Sequence, residues 1–296
     1  MIGSVHIMGI VNLTEDSFYA ASRAGVADVT ARVRQMFADG ADVVDLGACS
    51  TRPGSLQPSM EEEWARLEPA LLSIVDEGDG LLRRQIKRPM PPEQAIPFIS
   101  IDTYRAEIVR RAYEVIGPFM VNDISAGALD SDMLPTVGRL GLPYVAMHMR
   151  GTPQTMQQFT DYKDIVEDVK AYFRVFSLRT ADAGIREWVL DPGFGFAKTL
   201  EQNYELLGRL NELQELGHPI LVGVSRKSMI YKLLNISPEE SLAATQVVQF
   251  AALERGATWL RVHDVPEAVQ TARLYESLFA ERLGRLSSRS CAACLA

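Results

Sequence analysis

Eight short apolar runs punctuate the chain, each stopping at a polar or charged residue and each followed by a longer stretch with helical periodicity. In order they are His6–Asn12 (HIMGIVN), Asp42–Gly47 (DVVDLG), Phe98–Asp102 (FISID), Phe119–Asp123 (FMVND), Tyr144–His148 (YVAMH), Trp188–Asp191 (WVLD), Ile220–Ser225 (ILVGVS) and Trp259–His263 (WLRVH). Between them, apolar residues recurring every three to four positions predict amphipathic helices over Val26–Ala38, Glu61–Asp76, Ala106–Val115, Met133–Leu140, Ile165–Ala183, Leu200–Leu216, Pro238–Glu254 and Glu267–Leu283.

Runs that are apolar at nearly every position, instead of every second one, belong to strands buried on both faces, which implies a parallel sheet covered by helices. Roughly 250 positions separate Asn12 from His263, giving a repeat of about 36 residues, the length of a strand, a helix and two loops. Eight such units predict an α/β fold, a closed (β/α)8 TIM barrel forming a single domain over residues 1–283, in preference to an open doubly wound sheet. No G-x-G-x-x-G follows the first run, which weighs the same way. Residues 78–95 (GDGLLRRQIKRPMPPEQA) break the rhythm with basic residues and prolines and predict an extended loop before the third strand. The tail 284–296 loses periodicity and is expected to be poorly ordered.

Composition changes this picture little: 47% hydrophobic and 23% charged residues fit a globular chain with a packed core. Charge changes it more. Thirty Lys plus Arg against 38 Asp plus Glu leave a net −8, so no general attraction to nucleic acid or acidic membranes is expected, and an anionic ligand must be held locally. Three cysteines, Cys49, Cys291 and Cys294, cannot make a disulfide framework and fit a reducing compartment. The N-terminal segment lacks the layout of a signal peptide and no run reaches a membrane span, so a cytoplasmic location is expected. The lone C-x-x-C of Cys291 and Cys294 cannot complete a tetrahedral zinc site.

In a barrel of this kind the active site is built at the C-terminal ends of the strands. The residues there are Asn12, Asp102, Asn122, Asp123, His148, Asp191, Ser225, Arg226, Lys227, Arg261 and His263. Asp102, Asn122 and Asp191, with Lys227, offer donors and acceptors suited to a flat heterocycle, because a carboxylate accepts in parallel from an amidine-like edge. Arg52, Ser225, Arg226, Lys227, Arg261 and His263 form a cationic subset after strands two, seven and eight, the last two being the usual phosphate site of such barrels. Ser225 is expected to cap a helix starting there, and the amide oxygen of Asn12 could complete a Mg²⁺ shell shared with an anionic ligand. Asp191-Pro192-Gly193-Phe194-Gly195-Phe196 reads as a forced turn with phenylalanines lining the mouth.

With these residues assigned, the chain resembles the dihydropteroate synthases through MGIVNLTEDSF (8–18), STRPGS (50–55), ISIDT (99–103), VNDISAG (121–127), MHMRGTP (147–153), DPGFGFAK (191–198), GVSRKS (223–228) and RVHDV (261–265). The resemblance implies a pterin-binding barrel that condenses 7,8-dihydropterin-6-ylmethyl diphosphate with p-aminobenzoate, releasing diphosphate, in folate biosynthesis. It implies Asp102, Asn122, Asp191 and Lys227 around the pterin, and Asn12, Arg261 and His263 on the diphosphate and its Mg²⁺, with Thr51 touching the same substrate. It further implies Ser225 on the p-aminobenzoate carboxylate, Phe194 and Arg52 framing its ring, sulfonamides as competitors, and a homodimer through barrel helices. Asp102, Asp191, Lys227, Arg261 and His263 form the implied catalytic set.

The chain departs from the family pattern at Glu15, where Pro is common, at Ala20 and Ala21, where an acidic, often Gly-rich stretch is usual, at Cys49, usually Glu, and at Ala197, often Gly. Two other readings use the same residues: a non-catalytic pterin-binding paralogue, and a barrel transferring a methyl group from a folate. The second leaves STRPGS, SRKS and the RVH residues without a job.

Overall fold

Because both faces of each apolar run are buried, all eight become parallel strands of one sheet, in the order β6-β5-β4-β3-β2-β1-β8-β7. A computed structural model describes residues 5–13, 23–49, 57–76 and 99–292. The strands are β1 (His6–Asn12), β2 (Val43–Gly47), β3 (Ile99–Asp102), β4 (Met120–Asp123), β5 (Tyr144–Met147), β6 (Trp188–Asp191), β7 (Leu221–Val222) and β8 (Trp259–Val262). The remaining seam, between β6 and β7, is closed by a parallel bridge from Leu190 to Ile220 and by Leu190 N–H donating to the Pro219 carbonyl at 2.9 Å. The sheet is therefore a barrel, as the repeat predicts.

Around it lie α1 (Arg23–Ala38), α2 (Met60–Asp76), α3 (Ala106–Ile116), α4 (Met133–Leu140), α5 (Ile165–Ala183), α6 (Leu200–Gly208), α7 (Ser228–Leu234), α8 (Leu242–Glu254) and α9 (Val265–Ala292). Local chemistry sets their ends. Asp164 caps α5 by accepting from Val166 N–H and Glu167 N–H, Gly184 ends it in the left-handed region, and Thr199 with Gln202 forms a capping box on α6. The periodic stretch 200–216 divides into α6 and a 3₁₀ segment, Leu210–Leu216. Helix α7 is absent from the sequence prediction, being only two turns long. The last helix runs past Leu283 because Gly284 alone does not stop a helix that meets no proline. Loop 78–95, Thr51, Arg52, Glu15, Ala20 and Ala21 lie outside the described residues, as does Cys294. Among the described residues no helix is long and apolar enough to cross a membrane.

Strand side chains alternate between lumen and helices. Met8, Val43, Met120, Val145, Val189, Leu221 and Trp259 form a cluster of their own that fills the barrel floor. Val44, Leu46, Ile101, Val121, Tyr144, Leu190 and Leu260 belong to the main core under the helices. Two positions above the floor residues, the same faces carry Asp45, Asn122, Met147, Asp191 and Arg261, so the lumen turns polar within one strand period. Asp123, one residue past Asn122, falls on the opposite face. Its carboxylate accepts from Ser125 N–H and Oγ (both 2.7 Å), Gly127 N–H (2.8 Å) and the Tyr144 hydroxyl (2.6 Å). Asp123 thus holds the β4 turn together and is not part of the mouth.

Helices α4 and α5 meet where α4 has no side chain: a Cβ on Gly138 would lie 1.7 Å from the carbonyl oxygen of Ala183. Gly138→Ala is expected to lower the unfolding free energy by about 1–3 kcal/mol, measured by urea denaturation. An unchanged midpoint would show that this contact yields without cost.

Candidate active site

Arg261 on β8 projects across the lumen to two carboxylates. Its Nε and Nη2 donate to Asp45 Oδ2 at 2.7 and 2.6 Å, and Nη2 also reaches Asp102 Oδ2 at 2.8 Å. Asn122 Nδ2 donates to the same Asp45 oxygen at 2.9 Å. Asp45 Oδ1 and Ser100 Oγ, from in-register neighbours on β2 and β3, have no partner among the described residues. Burial pulls the Arg261 guanidinium towards neutrality, but Asp45 and Asp102 more than offset it and hold the group charged. Burial drives the Asp102 carboxyl the other way, up to about 7, against the pull of Arg261 and with help from Asp45, Glu63 and Asp123.

On the opposite wall, Asp191 Oδ1 accepts from Gly193 N–H at 2.8 Å, and burial raises its pKa against Lys227. Lys227 Nζ donates to the Phe194 carbonyl at 2.6 Å and lies 4.8 Å from the centroid of the Phe196 ring. Burial brings the Lys227 ammonium down to about 8, with Asp191 opposing. The turn between Asp191 and Phe196 decides which phenylalanine faces the mouth. Phe194 is 0% exposed and belongs to the main core, so the expectation that it lines the mouth is corrected: Phe196, beside Lys227 and the Met147, Met149 and Met156 cluster, occupies that place.

The expected cationic subset shrinks in the fold. Arg226 adopts φ +53 and turns back to grip Asp264 with Nε and Nη2 at 2.8 and 2.9 Å, its Nη1 donating to the Pro238 and Glu239 carbonyls. His263 is not a cation: burial, then Arg261, with smaller contributions from Arg226 and Lys227, push its pKa down to about 4 against Asp264. Its Nδ1 lies 3.0 Å from Ser225 Oγ, and its backbone N–H donates to that oxygen at 3.2 Å. Ser225 consequently caps no helix. α7 begins three residues later, at Ser228, because β7 ends at Val222 and the left-handed Arg226 delays the helix. His148 also leaves the mouth set: buried at the end of β5, it packs edge-on to Tyr172 and meets Lys198 Nζ at 3.1 Å.

Two residues of this arrangement escape sequence reasoning. Asp45 sits inside a run, not at its end, and only its inward register marks it. Lys198 stands in a recognised motif but carries no periodic signal. A further buried pair anchors the second loop's return: Glu63 accepts from Thr103 Oγ1 at 2.6 Å and pairs with Arg105, which also binds the Pro58 carbonyl. The Cys49 thiol, 3.8 Å from Arg105 Nη1, is pushed up by burial and by Glu63, so it stays neutral there.

Asn12 and Asp102 flank Gly47: a Cβ on that glycine would lie 3.7 Å from Asn12 Oδ1 and 3.6 Å from Asp102 Cβ. Among the described residues no group of three or more His, Cys, Asp or Glu could hold a metal. A cation here would be bound mainly by ligand oxygens and water, with Asn12 supplying an amide oxygen, which is the habit of Mg²⁺.

The family described as pterin binding enzyme matches residues 8–263. The dihydropteroate synthase of Escherichia coli (strain K12) is 38% identical over 275 residues, 92% of this chain and 91% of that protein. The crystal structure of the Clostridium difficile dihydropteroate synthase in the presence of pteroic acid superposes with a TM-score of 0.82 at 35% identity, covering 94% of this chain and 98% of that one. The Thermus thermophilus dihydropteroate synthase in complex with 4-aminobenzoate gives 0.78 at 35%, covering 94% and 96%.

Two measurements check the electrostatics. Arg261→Met leaves the Asp45 carboxyl buried without its partner and is expected to cost about 3–5 kcal/mol of unfolding free energy; a loss under about 1 kcal/mol in denaturant unfolding would refute the bridge. His263 stays neutral in the fold while an unfolded histidine takes up a proton near pH 6.5. Its stabilising contribution is therefore complete above about pH 6.5 and lost as pH falls through about 4. An NMR midpoint for His263 close to that ordinary value of about 6.5 would contradict this.

Proposed function

The chain belongs to the dihydropteroate synthases, pterin-binding transferases of folate biosynthesis, and on that premise we propose that its barrel mouth condenses 7,8-dihydropterin-6-ylmethyl diphosphate with p-aminobenzoate. The observation that carries the proposal is the gathering of Asp102, Asn122, Asp191 and Lys227 in one polar tier above a sealed apolar floor. A pterin has a guanidine-like edge that two carboxylates can grip, and an adjoining carbonyl and ring nitrogen for Asn122 and Lys227. Asp102, whose Oδ2 already accepts from Arg261, can hold a ring N–H with its charge answered by that guanidinium.

The diphosphate would then extend towards the β8 and β1 ends. There Arg261 offers a charged guanidinium, and neutral His263 would offer an Nε2–H in the tautomer whose Nδ1 accepts from the Ser225 hydroxyl. Asn12 would hold Mg²⁺ together with phosphate oxygens; such an ion neutralises charge on a departing diphosphate. In the reaction the amine lone pair of p-aminobenzoate forms the C–N bond as the C–O bond to diphosphate breaks, and the nitrogen releases its proton to solvent. An arylamine is already neutral at about pH 7, so this chain's residues act by positioning both substrates and stabilising the leaving group.

For p-aminobenzoate, the side of Lys227 is the natural place. Phe196 supports the ring in place of the expected Phe194, and Ser228, first residue of α7, replaces Ser225, whose hydroxyl is held by His263. For Thr51 and Arg52, outside the described residues, the proposal takes only the roles that the resemblance implies. Sulfonamides share the shape of p-aminobenzoate and would compete on this side.

A homodimer is supported by the outer face of α8 and α9. These helices pack through Phe250 and Tyr275, ring centroids 6.0 Å apart, and leave Val247, Leu274 and Leu278 exposed at 70%, 62% and 68%. A cytoplasmic location fits the three-cysteine composition.

Diphosphate release measured with both substrates, and with each omitted, tests the reaction: release requiring both is expected, and binding of the pterin without release would favour a non-catalytic paralogue. Asp102→Ala is expected to reduce turnover by a factor on the order of 10² or more, and near-normal release would sink the assignment. Leu274→Glu with Leu278→Glu is expected to turn a dimer into a monomer in sedimentation; a wild-type monomer would overturn the dimer.

A further inference from the structure

Lys198 closes the DPGFGFAK segment with an amine that is 4% exposed; burial draws it down to about 7, while Asp191, beyond ion-pair distance, favours its charge. Buried in this way, the three N–H bonds of its ammonium need acceptors. All three are met: His148 Nδ1 at 3.1 Å, the Gly193 carbonyl at 2.9 Å and the Phe196 carbonyl at 3.0 Å. For His148 to accept at Nδ1 its proton must sit on Nε2, and burial with the neighbouring Lys198 and Arg150 charges keeps that imidazole neutral.

The two carbonyls are the ends of one turn, in which Phe196 N–H donates to the Gly193 carbonyl at 3.1 Å. That turn rests directly on the end of β5. Gly193 has φ +71, and a Cβ there would lie 2.1 Å from the His148 carbonyl oxygen, so nothing but glycine fits. From the mouth side Lys227 donates to the Phe194 carbonyl and faces the Phe196 ring. The turn is therefore held between two lysines, one reaching substrate and one beneath it.

We propose that Lys198, oriented by His148, is a positioning residue that fixes the 193–196 turn and, through it, the Phe196 and Lys227 wall against which p-aminobenzoate binds. The inference rests on the condensation proposed above. Removing the ammonium would leave the buried Phe196 carbonyl without a donor and the Gly193 carbonyl with only the Phe196 N–H, and let the turn relax. Asp45, Asp102, Asn122 and Arg261 stand on other strands and keep their bonds, so the effect falls on one substrate more than on the other.

The test compares wild type with Lys198→Met, His148→Phe and His148→Asn, the last keeping an acceptor near the Nδ1 position. Per folded molecule, Lys198→Met is expected to raise KM for p-aminobenzoate tenfold or more, with KM for the pterin diphosphate and kcat changing less than threefold. His148→Phe should move the same way and His148→Asn should stay within threefold of wild type. Amide exchange at Gly195 and Phe196, read without substrate, should quicken in Lys198→Met and His148→Phe only. Lower stability with unchanged KM and unchanged exchange would overturn the proposal, as would equal impairment of the two His148 variants. Should the wild type form no dihydropteroate, the condensation reading fails, and the exchange rates still decide whether Lys198 fixes the turn.

Discussion

Arg261 bridges Asp45 and Asp102 at the level where the lumen passes from an apolar floor to a polar tier, and the mouth is arranged around that bridge. Three carboxylates, Asp45, Asp102 and Asp191, sit on the inward faces of β2, β3 and β6 above that floor, and burial works against the charge of Asp102 and Asp191. Arg261 answers Asp45 and Asp102 directly, and Lys227 and Lys198 favour the charge of Asp191, so the tier carries cations against its carboxylates. A balanced set of buried charges is rarely a source of stability in itself. Its value here is orientation, because one oxygen each of Asp45, Asp102 and Asp191 is tied down by Arg261 or by Gly193 N–H.

The same balance changes what the cations can do. In the sequence they read as a positive cluster at the mouth of an acidic protein. In the fold, Arg226 commits its charge to Asp264, His263 is kept neutral by burial and the cations around it, and Arg261 is shared between two carboxylates. What remains is a set of directed N–H donors, not a field. Recognition by directed donors is selective for shape and acceptor geometry, as a tethered heterocycle and a leaving group require, whereas an unpaired cluster would take any anion.

How much of this was legible follows from where each residue sits in its element. Asn12, Asp102, Asn122, Asp191, Arg261 and His263 stand at the ends of apolar runs, and once eight repeats imply a barrel, strand ends converge by geometry. Asp45 stays hidden because it interrupts a run, and only the period-two register shows that it faces the lumen with Asn122 while Asp123 faces the helices. Phe194 and Phe196 cannot be told apart in sequence: they are two apart in a turn whose glycines take positive φ, where strand alternation no longer applies. Protonation states are not written in sequence at all, since burial and neighbours set them. The resemblance to a known family supplied the chemistry of the substrates, and the fold buries one of its expected contacts, Phe194, in the core and ties the hydroxyl of another, Ser225, to His263.

The balanced tier also bears on the metal. A diphosphate carries more negative charge than one shared guanidinium and one imidazole N–H can offset, and placing it against Asp45 and Asp102 would add repulsion. Drawing Arg261 towards the phosphates would strip Asp45 of its cation and leave a buried carboxylate unpaired, which is strongly destabilising. The arrangement that avoids this leaves the bridge intact and brings a separate cation with the substrate. Asn12 lies on the far side of Gly47 from Asp102, offers an oxygen and no charge, and no group of three acidic, His or Cys residues competes for the ion among the described residues. An ion held chiefly by the diphosphate would leave with it, so the pterin site would keep its own charge balance between turnovers. This is the physical ground for the Mg²⁺ proposed at Asn12.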